Sequence, residues 1–470
     1  MVGKVKYYRC NSAKQHVSGD DTMIQRKTEK AIMKWIAEGR DALLVTGARQ
    51  IGKTYLIREC LEKFGLPYEE FNFIEQPELI PLFETAKTTE ELLVRLSVVS
   101  KKPLEKGKTI FFFDEVQECK DIVTRIKFLV DDGNYKYIMS GSLLGIELND
   151  LRSAPVGYMR IMDMFPLCLE EFVTALGVRD DTLQMLKECY QNRKPVDSFV
   201  HEKMLDVFYL YLIVGGMPEA VSVYLETNDI NRVSQVHQKI IQLYKKDFSK
   251  YQNRYKLKLR EIYDAMPGEL DNKNKRFRLN VLGKGMNYDR VANDFLWLKD
   301  AGVALPVYNV SEPKLPLKIS ENRSLFKLFF SDVGLLTSLY STEVKIQILQ
   351  KAASINNGSL FENIVAQELI SKAFPVYYFN SKKQGEVDLL IEMNGSVCPI
   401  EVKSGKDYKK HCALENILAD EDYAIRQAYI LSNGNVEVVG KKVYLPIYMM
   451  MFMEQTTLSD PIYKLDLRGL

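Results

Sequence analysis

One eight-residue stretch, GARQIGKT at residues 47–54, constrains the fold of this chain more than any other feature. It has the spacing G-x-x-x-x-G-K-[ST], follows the apolar run DALLVTG and precedes the amphipathic pattern KTYLIRECLEKFG. A glycine-rich turn between a buried strand and a helix points backbone N–H groups at a phosphate, and the helix dipole adds to them. The sequence therefore predicts a phosphate-binding loop. That context disfavours the alternative, an ordinary strand–turn–helix connection.

The loop predicts a nucleotide site in which each polar residue has its own role. Lys53 would reach the β- and γ-phosphates of ATP, and the Thr54 hydroxyl would be a ligand of Mg²⁺. ATP and Mg²⁺ are thus the predicted cofactors, and ATP or ADP is the predicted small-molecule partner. The residues predicted to line the nucleotide are Gly47, Ala48, Arg49, Gln50, Ile51, Gly52, Lys53, Thr54 and Tyr55.

Two later apolar runs end in polar residues, as buried parallel strands do where they meet a ligand. The run at residues 109–113 ends in Asp114, predicted to hold Mg²⁺, and in Glu115, predicted to act as general base toward the attacking water. The run NYKYIMSGSLLGI ends at Ser140, which could contact the γ-phosphate or position the water, with Ser142 as the alternative. Serine and glycine also end strands simply to turn the chain.

A second constellation lies near the carboxyl end of the chain. EVDLLIEM and SVCPIEVKSG flank Asn394-Gly395 and predict a β-hairpin. Asp388 falls on its first strand, whereas Glu401 and Lys403 fall on one face of its second strand. Two carboxylates beside a lysine can bind a divalent metal through Asp388 and Glu401 and activate a water. The alternative is a set of solvated charges on an edge hairpin.

Composition sets limits on the class of protein. The 470 residues suit several domains, and a formal charge of +2 gives no overall attraction to nucleic acid. No apolar stretch is long enough for a membrane span, and the amino terminus lacks the apolar core of a signal peptide. Seven scattered cysteines offer neither zinc spacing nor a disulfide framework, so we expect a cytoplasmic protein.

Residues 237–278 are locally basic, with twelve Lys/Arg against five acids. Tyr244, Phe248, Tyr251, Tyr255 and Phe277 are interleaved with them, so the segment could bind DNA or RNA by neutralising phosphates and stacking on bases. A charged helix face with core aromatics behind it is the equal alternative. Beyond residue 256, helical patterns followed by two strands, ALPVYNV and SLFKLFFSDVG, match the layout of a winged helix or of a generic small α+β unit.

The chain resembles a prokaryotic AAA+ ATPase family of the archaeal-type, STAND-related group. The resemblance is carried by the motifs GARQIGKT, FFFDEVQE, IMSGSLLG, MFPLCLEEF, VGGMPEAV, FFSDVGLL, LFENIVAQEL and GEVDLLIE…PIEVKSG. It implies an α/β fold, a P-loop AAA+ parallel sheet followed by three further domains. The implied domains are the AAA+ core (22–167), a helical lid (168–255), a winged-helix-like domain (256–350) and a PD-(D/E)xK nuclease-like domain of the restriction-endonuclease-like α/β type (351–470).

The resemblance also implies site roles. Gly52, Lys53 and Thr54 would serve as Walker A residues, and Asp114 and Glu115 as Walker B residues, with a sensor-like role at the SGS turn. By likeness to the nucleases, Glu362, Asp388, Glu401 and Lys403 would form the metal-dependent site. An arginine that many members carry before the FPL segment is missing here, and Arg152 or Arg160 could substitute for it.

Together these features predict an ATPase that uses ATP to drive or gate DNA or RNA binding and metal-dependent cleavage. A homo-oligomer is a possible assembly of the chain. The alternative is an ATP-gated regulatory, signalling or defence protein with an inert nuclease-like fold and protein partners.

Overall fold

The computed structural model describes residues 24–142, 157–250, 256–352, 354–405 and 407–455. Its amino-terminal part is a five-stranded sheet with the order β2-β3-β4-β1-β5, in which every neighbouring pair is parallel. This confirms the predicted parallel α/β sheet. The strands are β1 (Ala42–Thr46), β2 (Tyr68–Asn72), β3 (Ile110–Asp114), β4 (Lys136–Gly141) and β5 (Met159–Asp163).

The apolar runs in the sequence become the central strands of this sheet. Every residue of β1 and of β3 is buried, as expected where helices cover both faces. The strand order places β4 between β1 and β3, so the carboxyl ends of these three strands meet at one edge. The helices around the sheet are α1 (Lys27–Glu38), α2 (Lys53–Phe64), α3 (Ile80–Thr85), α4 (Thr89–Val99) and α5 (Lys120–Asp132).

A run of helices follows the first sheet, as the sequence predicts for residues 168 to about 255. Pro218 at the first turn of a helix and Gly215 just before it separate two of these helices at the VGGMPEAV motif. The helices are α6 (Leu169–Ala175), α7 (Asp180–Asn192), α8 (Ser198–Val214), α9 (Pro218–Thr227), α10 (Ile230–Lys250), α11 (Lys256–Asp271) and α12 (Tyr288–Asp300).

The two strands predicted after residue 300 form, and they belong to a second, eight-stranded mixed sheet. Its order is β12-β13-β11-β10-β9-β8-β6-β7, and β6 pairs in parallel with β8. The hairpin proposed as a wing is therefore continuous with the carboxyl-terminal sheet. The strands are β6 (Ala304–Val310), β7 (Glu321–Phe330), β8 (Tyr377–Ser381), β9 (Gly385–Met393), β10 (Ser396–Lys403), β11 (Ala428–Ser432), β12 (Glu437–Val439) and β13 (Lys442–Pro446).

The predicted hairpin around Asn394-Gly395 is confirmed, because β9 and β10 pair antiparallel with Ser396 opposite Met393. The largest helix against this sheet, α15, is buried from Ser359 to Leu369 and packs between the second sheet and the helical region. None of the helices in the described ranges is long and apolar enough to cross a membrane. The remaining helices are α13 (Val333–Thr337), α14 (Thr342–Leu349), α15 (Gly358–Ser371) and α16 (Cys412–Ala419).

Candidate functional site

The loop between β1 and α2 has a backbone that closely fits the predicted phosphate cradle. Gly47 has φ +137°, and a Cβ there would lie 2.2 Å from the carbonyl oxygen of Met164, so only glycine fits. Helix α2 begins at Lys53, whose Nζ donates to the carbonyl oxygens of Gly47 (3.0 Å) and Ala48 (2.8 Å). The ammonium is thus held inside the loop, at the positive end of the helix.

Side chains from three neighbouring strands and from α2 meet at the carboxyl edge of the first sheet. Thr54 Oγ1 donates to Asp114 (3.0 Å to Oδ2), Asn72 Nδ2 donates to the same oxygen at 3.0 Å, and the Ser140 hydroxyl donates to Oδ1. Burial raises the pKa of Asp114, and the bond from Ser140 opposes that shift. Hard oxygen donors at this spacing fit a magnesium ion, which takes few protein ligands.

Glu115 follows Asp114 in the left-handed conformation, with φ +55°. Its carboxylate accepts a hydrogen bond from the side-chain amide of Gln117. Gln50 in the loop also has a positive φ, +67°. Positive φ is uncommon for residues other than glycine and is often found where function requires it. Ser142, the alternative to Ser140, does not join the Asp114 group, and its hydroxyl contacts Arg49 Nε at 3.4 Å.

Burial and charge set the state of the two central groups. Burial lowers the pKa of Lys53 to about 8, although the nearby Glu115 and Asp114 carboxylates oppose that shift. A lysine with this pKa is still largely charged near neutral pH, and an incoming phosphate would favour the charged form further. The site therefore holds one cation ready for an anionic ligand.

A cavity of about 310 Å³ adjoins the loop, and sequence reasoning missed most of its lining. Tyr55 and Gly52 form one wall, and Pro218 at the start of α9 forms another. Arg26 crosses beneath it and donates to the carbonyl oxygens of Ile51 (3.1 Å) and Phe165 (2.7 Å). The volume suits a small planar ligand such as a nucleobase.

The phosphate loop also touches the second half of the molecule. Arg49 Nε lies 3.1 Å from Asp247 Oδ2 on α10, and the Tyr244 hydroxyl donates to the carbonyl oxygen of Arg49 at 3.2 Å. Gly302, just before β6, approaches so closely that a Cβ there would lie 2.7 Å from the Ala48 nitrogen. The loop thus has direct contacts with the helical region and with the strand that opens the second sheet.

The turn between α8 and α9 is fastened to the second sheet by buried polar groups. Asp332, which follows β7, accepts from the backbone N–H of Gly216 (2.6 Å) and of Leu335 (3.0 Å). Burial raises the pKa of Asp332 to about 6. Nearby, His237 Nε2 lies 3.0 Å from the Val214 carbonyl oxygen, and burial lowers the pKa of this imidazole to about 4.

The four residues predicted near the carboxyl end come together in one group, here called the acidic cluster, in which Glu362 and Glu401 are buried. Glu362 reaches it from α15, Asp388 from β9, and Glu401 and Lys403 from β10. Lys403 Nζ lies 2.9 Å from Glu401 Oε2, and Asp388 accepts from the Val402 N–H at 2.8 Å. Burial, together with the Asp388 carboxylate, raises the pKa of Glu401 to about 8.

Two lysines that sequence reasoning did not assign complete this cluster. Lys327 Nζ, fully buried on β7, lies 3.2 Å from Glu362 Oε2 and 2.8 Å from Glu386 Oε1. Lys275 forms a second ion pair with Glu362. Burial alone would lower the pKa of Lys327, but the surrounding carboxylates raise it well above its usual range. Burial alone would raise the pKa of Asp388, but the lysines hold it below its usual value.

These lysines bear on whether the cluster fits a divalent metal. Within the described ranges, no three or more His, Cys, Asp or Glu side chains are grouped so that they could hold a metal ion. Glu362 is paired with two ammonium groups, and the nearby Asp388 carboxylate helps to raise the pKa of Glu401. In this arrangement ion pairs occupy Glu362, and the metal role of Asp388 and Glu401 stays a prediction.

The aromatic rings described in the basic segment 237–278 are buried, whereas base stacking requires exposed rings. Tyr244, Phe248 and Phe277 are each no more than 2% exposed, so these rings belong to the core and cannot stack on bases. Lys245 pairs with Asp264 at 2.6 Å. Tyr251, Arg254 and Tyr255 lie outside the described residues, as does Arg152. Arg160 is described, and it pairs with Asp41 at 3.2 Å.

Three models of known protein families match this chain, and the first of them covers the phosphate loop. Residues 39–173 match the family model described as an AAA domain. Two further models, each described as a domain of unknown function, match residues 205–346 (DUF8612) and 357–450 (DUF4143). No curated protein is detectably similar. The amino-terminal domain is therefore an AAA domain with the P-loop ATPase fold, and this fold implies nucleotide binding.

Three solved structures with detectable likeness are a Walker-type ATPase, an ORC1 protein and a branch migration motor. The Walker-type ATPase PABY2304 of Pyrococcus abyssi is 17% identical with a TM-score of 0.43, and the match covers 68% of this chain and 96% of that one. The Aeropyrum pernix ORC1 protein, solved in complex with DNA, is 12% identical with a TM-score of 0.28, covering 71% and 94%. The Thermotoga maritima RuvB Holliday junction branch migration motor is 12% identical with a TM-score of 0.29, covering 63% and 91%.

Proposed function

We propose that this chain binds and hydrolyses Mg-ATP and uses the nucleotide to control what its carboxyl-terminal half binds. The observation that carries the proposal is the meeting of Lys53, Thr54 and Asp114 at the carboxyl edge of a parallel sheet, directly beside a glycine-bounded loop. This is the arrangement that phosphoryl-transfer sites of the P-loop class use.

The roles follow from position. The backbone from Gly47 to Tyr55 would wrap the phosphates, with the Lys53 ammonium leaving the loop carbonyls to bind the β- and γ-phosphates. Thr54 and Asp114 would hold Mg²⁺, which supplies positive charge against the phosphate oxygens. Glu115 would take a proton from the attacking water. Ser140, which now donates to Asp114, would position Asp114 or contact the γ-phosphate.

The adenine ring fits the cavity beside the loop. That cavity lies against Tyr55 and Gly52, and α9 closes it from the opposite side through Pro218. A base in this cavity would contact α2 through Tyr55 and α9 through Pro218, and α9 follows the turn that Asp332 holds. ATP would thereby favour one arrangement of the two regions, as in other nucleotide switches.

Calorimetry on the full chain tests the nucleotide proposal directly. We expect ATP and ADP to bind the wild-type chain with Mg²⁺, and Lys53→Ala to weaken binding about a hundredfold or more. Lys34→Ala, which removes an exposed lysine on α1, is the matched control and should leave binding unchanged. Absence of nucleotide uptake by the wild-type chain would end the proposal.

For the carboxyl-terminal half, the ion pairs of the acidic cluster support a role without cleavage. Lys275 and Lys327 already neutralise Glu362, and Lys403 pairs with Glu401. The ammonium groups of Lys275 and Lys327, which are not part of the predicted nuclease set, supply positive charge that a nuclease would obtain from a metal. We therefore propose an ATP-gated protein whose acidic cluster does not cut in this arrangement. Metal-dependent cleavage of DNA or RNA, carried by the predicted set Glu362, Asp388, Glu401 and Lys403, is the competing proposal.

One assay separates these proposals. Single- and double-stranded DNA and RNA are incubated with Mg²⁺ or Mn²⁺, with and without ATP. The inert cluster predicts ATP turnover with no cleavage under any metal. Cleavage that disappears in both Asp388→Ala and Lys403→Ala would instead establish the nuclease and overturn the inert cluster.

Nucleic-acid binding by the basic segment stands on charge alone, since its described aromatic rings are buried. Lys245 is paired with Asp264, so part of the apparent excess of positive charge is compensated. We expect DNA or RNA binding to weaken with salt and to fall when Lys245, Lys246 and Lys250 are neutralised together. Binding that is independent of salt and of these residues would point to a protein partner.

A further inference from the structure

Arg49, in the phosphate loop, directs its guanidinium at residues outside the loop. Its Nε lies 3.1 Å from Asp247 Oδ2 on α10 and 3.4 Å from the hydroxyl of Ser142, which follows β4 directly. The Arg49 side chain is 22% exposed, so solvent still reaches it in part. The loop region thus holds a second cation besides the Lys53 ammonium, and a ligand in the loop can reach it.

Two observations place this guanidinium on the side of the loop where a γ-phosphate would lie. Burial is the main cause that lowers the pKa of Lys53, and the positive charge of Arg49 acts in the same direction, so the two cations are close. The Ser142 N–H donates to Gln117 Oε1 at 3.4 Å, and Gln117 Nε2 donates to Glu115. Arg49 is therefore joined through Ser142 and Gln117 to the predicted general base, which must face the γ-phosphate.

Two other described arginines are less suited to meet a γ-phosphate. Arg160 lies opposite Leu43 near the start of β5 and pairs with Asp41, which precedes β1. It is thus at the amino edge of the sheet, whereas the phosphate loop is at the carboxyl edge. Arg26 is buried, and its Nε donates to Glu171 at 3.3 Å. Arg49 is better placed than either of them.

Asp247 would compete with a nucleotide for this guanidinium. Its side chain is only 7% exposed and faces the loop from α10, and Tyr244 on the same helix donates to the Arg49 carbonyl oxygen at 3.2 Å. A terminal phosphate carries more negative charge than a carboxylate, and its oxygens match the paired N–H groups of a guanidinium. ATP would therefore draw Arg49 away from Asp247, whereas ADP, which lacks the γ-phosphate, would leave the ion pair in place.

We infer that Arg49 binds the γ-phosphate of ATP and releases Asp247 when it does so. Arg49 thereby distinguishes ATP from ADP, and Asp247 opposes ATP binding because it holds the guanidinium in the arrangement described above. Since Asp247 lies on α10, the contact between the loop and the helical region changes only when a γ-phosphate is present. The inference rests on the proposed function, because it requires a nucleoside triphosphate in the loop.

Calorimetry on the full chain with Mg²⁺ compares two affinities, one for ADP and one for the β,γ-imido analogue of ATP, which is not hydrolysed. Arg49→Ala should weaken binding of the analogue about tenfold and leave ADP binding unchanged, because only the analogue carries a γ-phosphate. Arg49→Lys, which keeps the charge, should recover part of that loss. Asp247→Asn should act in the opposite direction and tighten binding of the analogue about fivefold, because the competing charge is removed. The double variant should bind the analogue as weakly as Arg49→Ala, since Asp247 acts only through Arg49.

An ion pair with a purely structural role would give a different pattern, in which each single variant weakens the binding of ADP and of the analogue alike. That pattern, or an Asp247→Asn chain that binds the analogue no more tightly than wild type, overturns the inference while nucleotide binding itself still stands. A wild-type chain that binds neither nucleotide would instead end the proposed function, and the inference with it. Arg179→Ala and Asp181→Asn, each of which breaks an exposed ion pair in the helical region, are the matched controls and should change neither affinity. If Arg49→Ala does not fold, Arg49→Lys and Asp247→Asn decide.

Discussion

The two candidate sites differ in what they are made of. The site around Lys53 is built mainly from backbone, a glycine-bounded loop at the edge where parallel strands end, and its single ammonium contacts only neutral carbonyl oxygens. The acidic cluster is built from charged side chains, and its ammonium groups at Lys275 and Lys327 contact carboxylates directly. The first site has a cation available for an anionic ligand, whereas the second has already balanced its own charge.

This difference shows why matching residue types are not sufficient evidence of activity. Both sites contain the carboxylates and the lysine that their predicted chemistry requires. Only at the first site does the surrounding backbone leave those groups free to exchange partners, because a bond to a carbonyl is weaker than a buried ion pair. The four predictions below break or sharpen this contrast.

The largest effect is expected at Glu115, if the first site is catalytic. Glu115→Gln should leave ATP binding near wild type and lower the rate of hydrolysis about a thousandfold, because the general base is lost while the phosphate contacts remain. Steady-state ATPase rates and calorimetry measure the two quantities. Glu118→Gln, an exposed neighbour, is the control. Hydrolysis that survives Glu115→Gln unchanged would contradict the assigned role.

The next effect tests whether the acidic cluster is held together by its own cations. Lys327→Met should lower the free energy of unfolding by about 3–5 kcal/mol, because it leaves the buried Glu362 and the partly exposed Glu386 each with one partner fewer. Lys318→Met removes an exposed ion pair with Glu321 and should cost no more than about 1 kcal/mol. Denaturant titration measures both. A Lys327→Met chain as stable as wild type would show that the cluster tolerates its acids without this lysine.

The free energy of unfolding should depend on pH through His237, whose imidazole contacts the Val214 carbonyl oxygen at the end of α8. Its pKa is about 4 in the fold, against about 6.5 when unfolded, so the imidazole is neutral in the native state. The unfolded chain therefore binds the extra proton below pH 6.5, and stability falls as the pH drops from 6.5 toward 4, by about 1.4 kcal/mol per unit. Thermal unfolding across this range should show a shallower slope in His237→Gln than in the wild-type chain, and His201 and His411, whose pKa values burial also lowers, contribute to the slope that remains.

The smallest effect concerns the ion pair that joins the phosphate loop to α10. Arg49 and Asp247 form a partly buried pair, with Arg49 22% and Asp247 7% exposed in their side chains. A double-mutant cycle with Arg49→Ala and Asp247→Ala, read out as ATP affinity, should give a coupling energy of about 1 kcal/mol. Additive effects of the two substitutions would mean that this ion pair does not couple ATP affinity at the loop to α10.

The first site was the more predictable from sequence, for a physical reason. A phosphate loop is a local motif, and strand-end residues such as Asp114 and Ser140 must meet at one sheet edge once the strands are parallel. Asn72, at the end of β2, lies at that same edge and could have been found by the same rule. Arg26 and Pro218 could not, because they reach the loop through long-range packing.

The sequence predicted the four members of the acidic cluster but not the two further lysines that balance their charge. Hairpin spacing fixed Asp388, Glu401 and Lys403, but Lys275 arrives from a separate turn that no local pattern connects to them. Lys327 did leave a signal, since it is a lone charge within the apolar run LFKLFF. A lysine in such a run must find a carboxylate or stay exposed, and this one found two.

The pairing of β6 with β8 has a practical consequence for anyone who divides this molecule. The two family matches in the second half, residues 205–346 and 357–450, place these neighbouring strands in different pieces. Expressed alone, each piece would expose the unpaired N–H and C=O groups of one strand, and such an exposed strand edge promotes self-association. The pairing of β6 with β8 therefore predicts that a fragment meant to fold alone must contain both matched ranges.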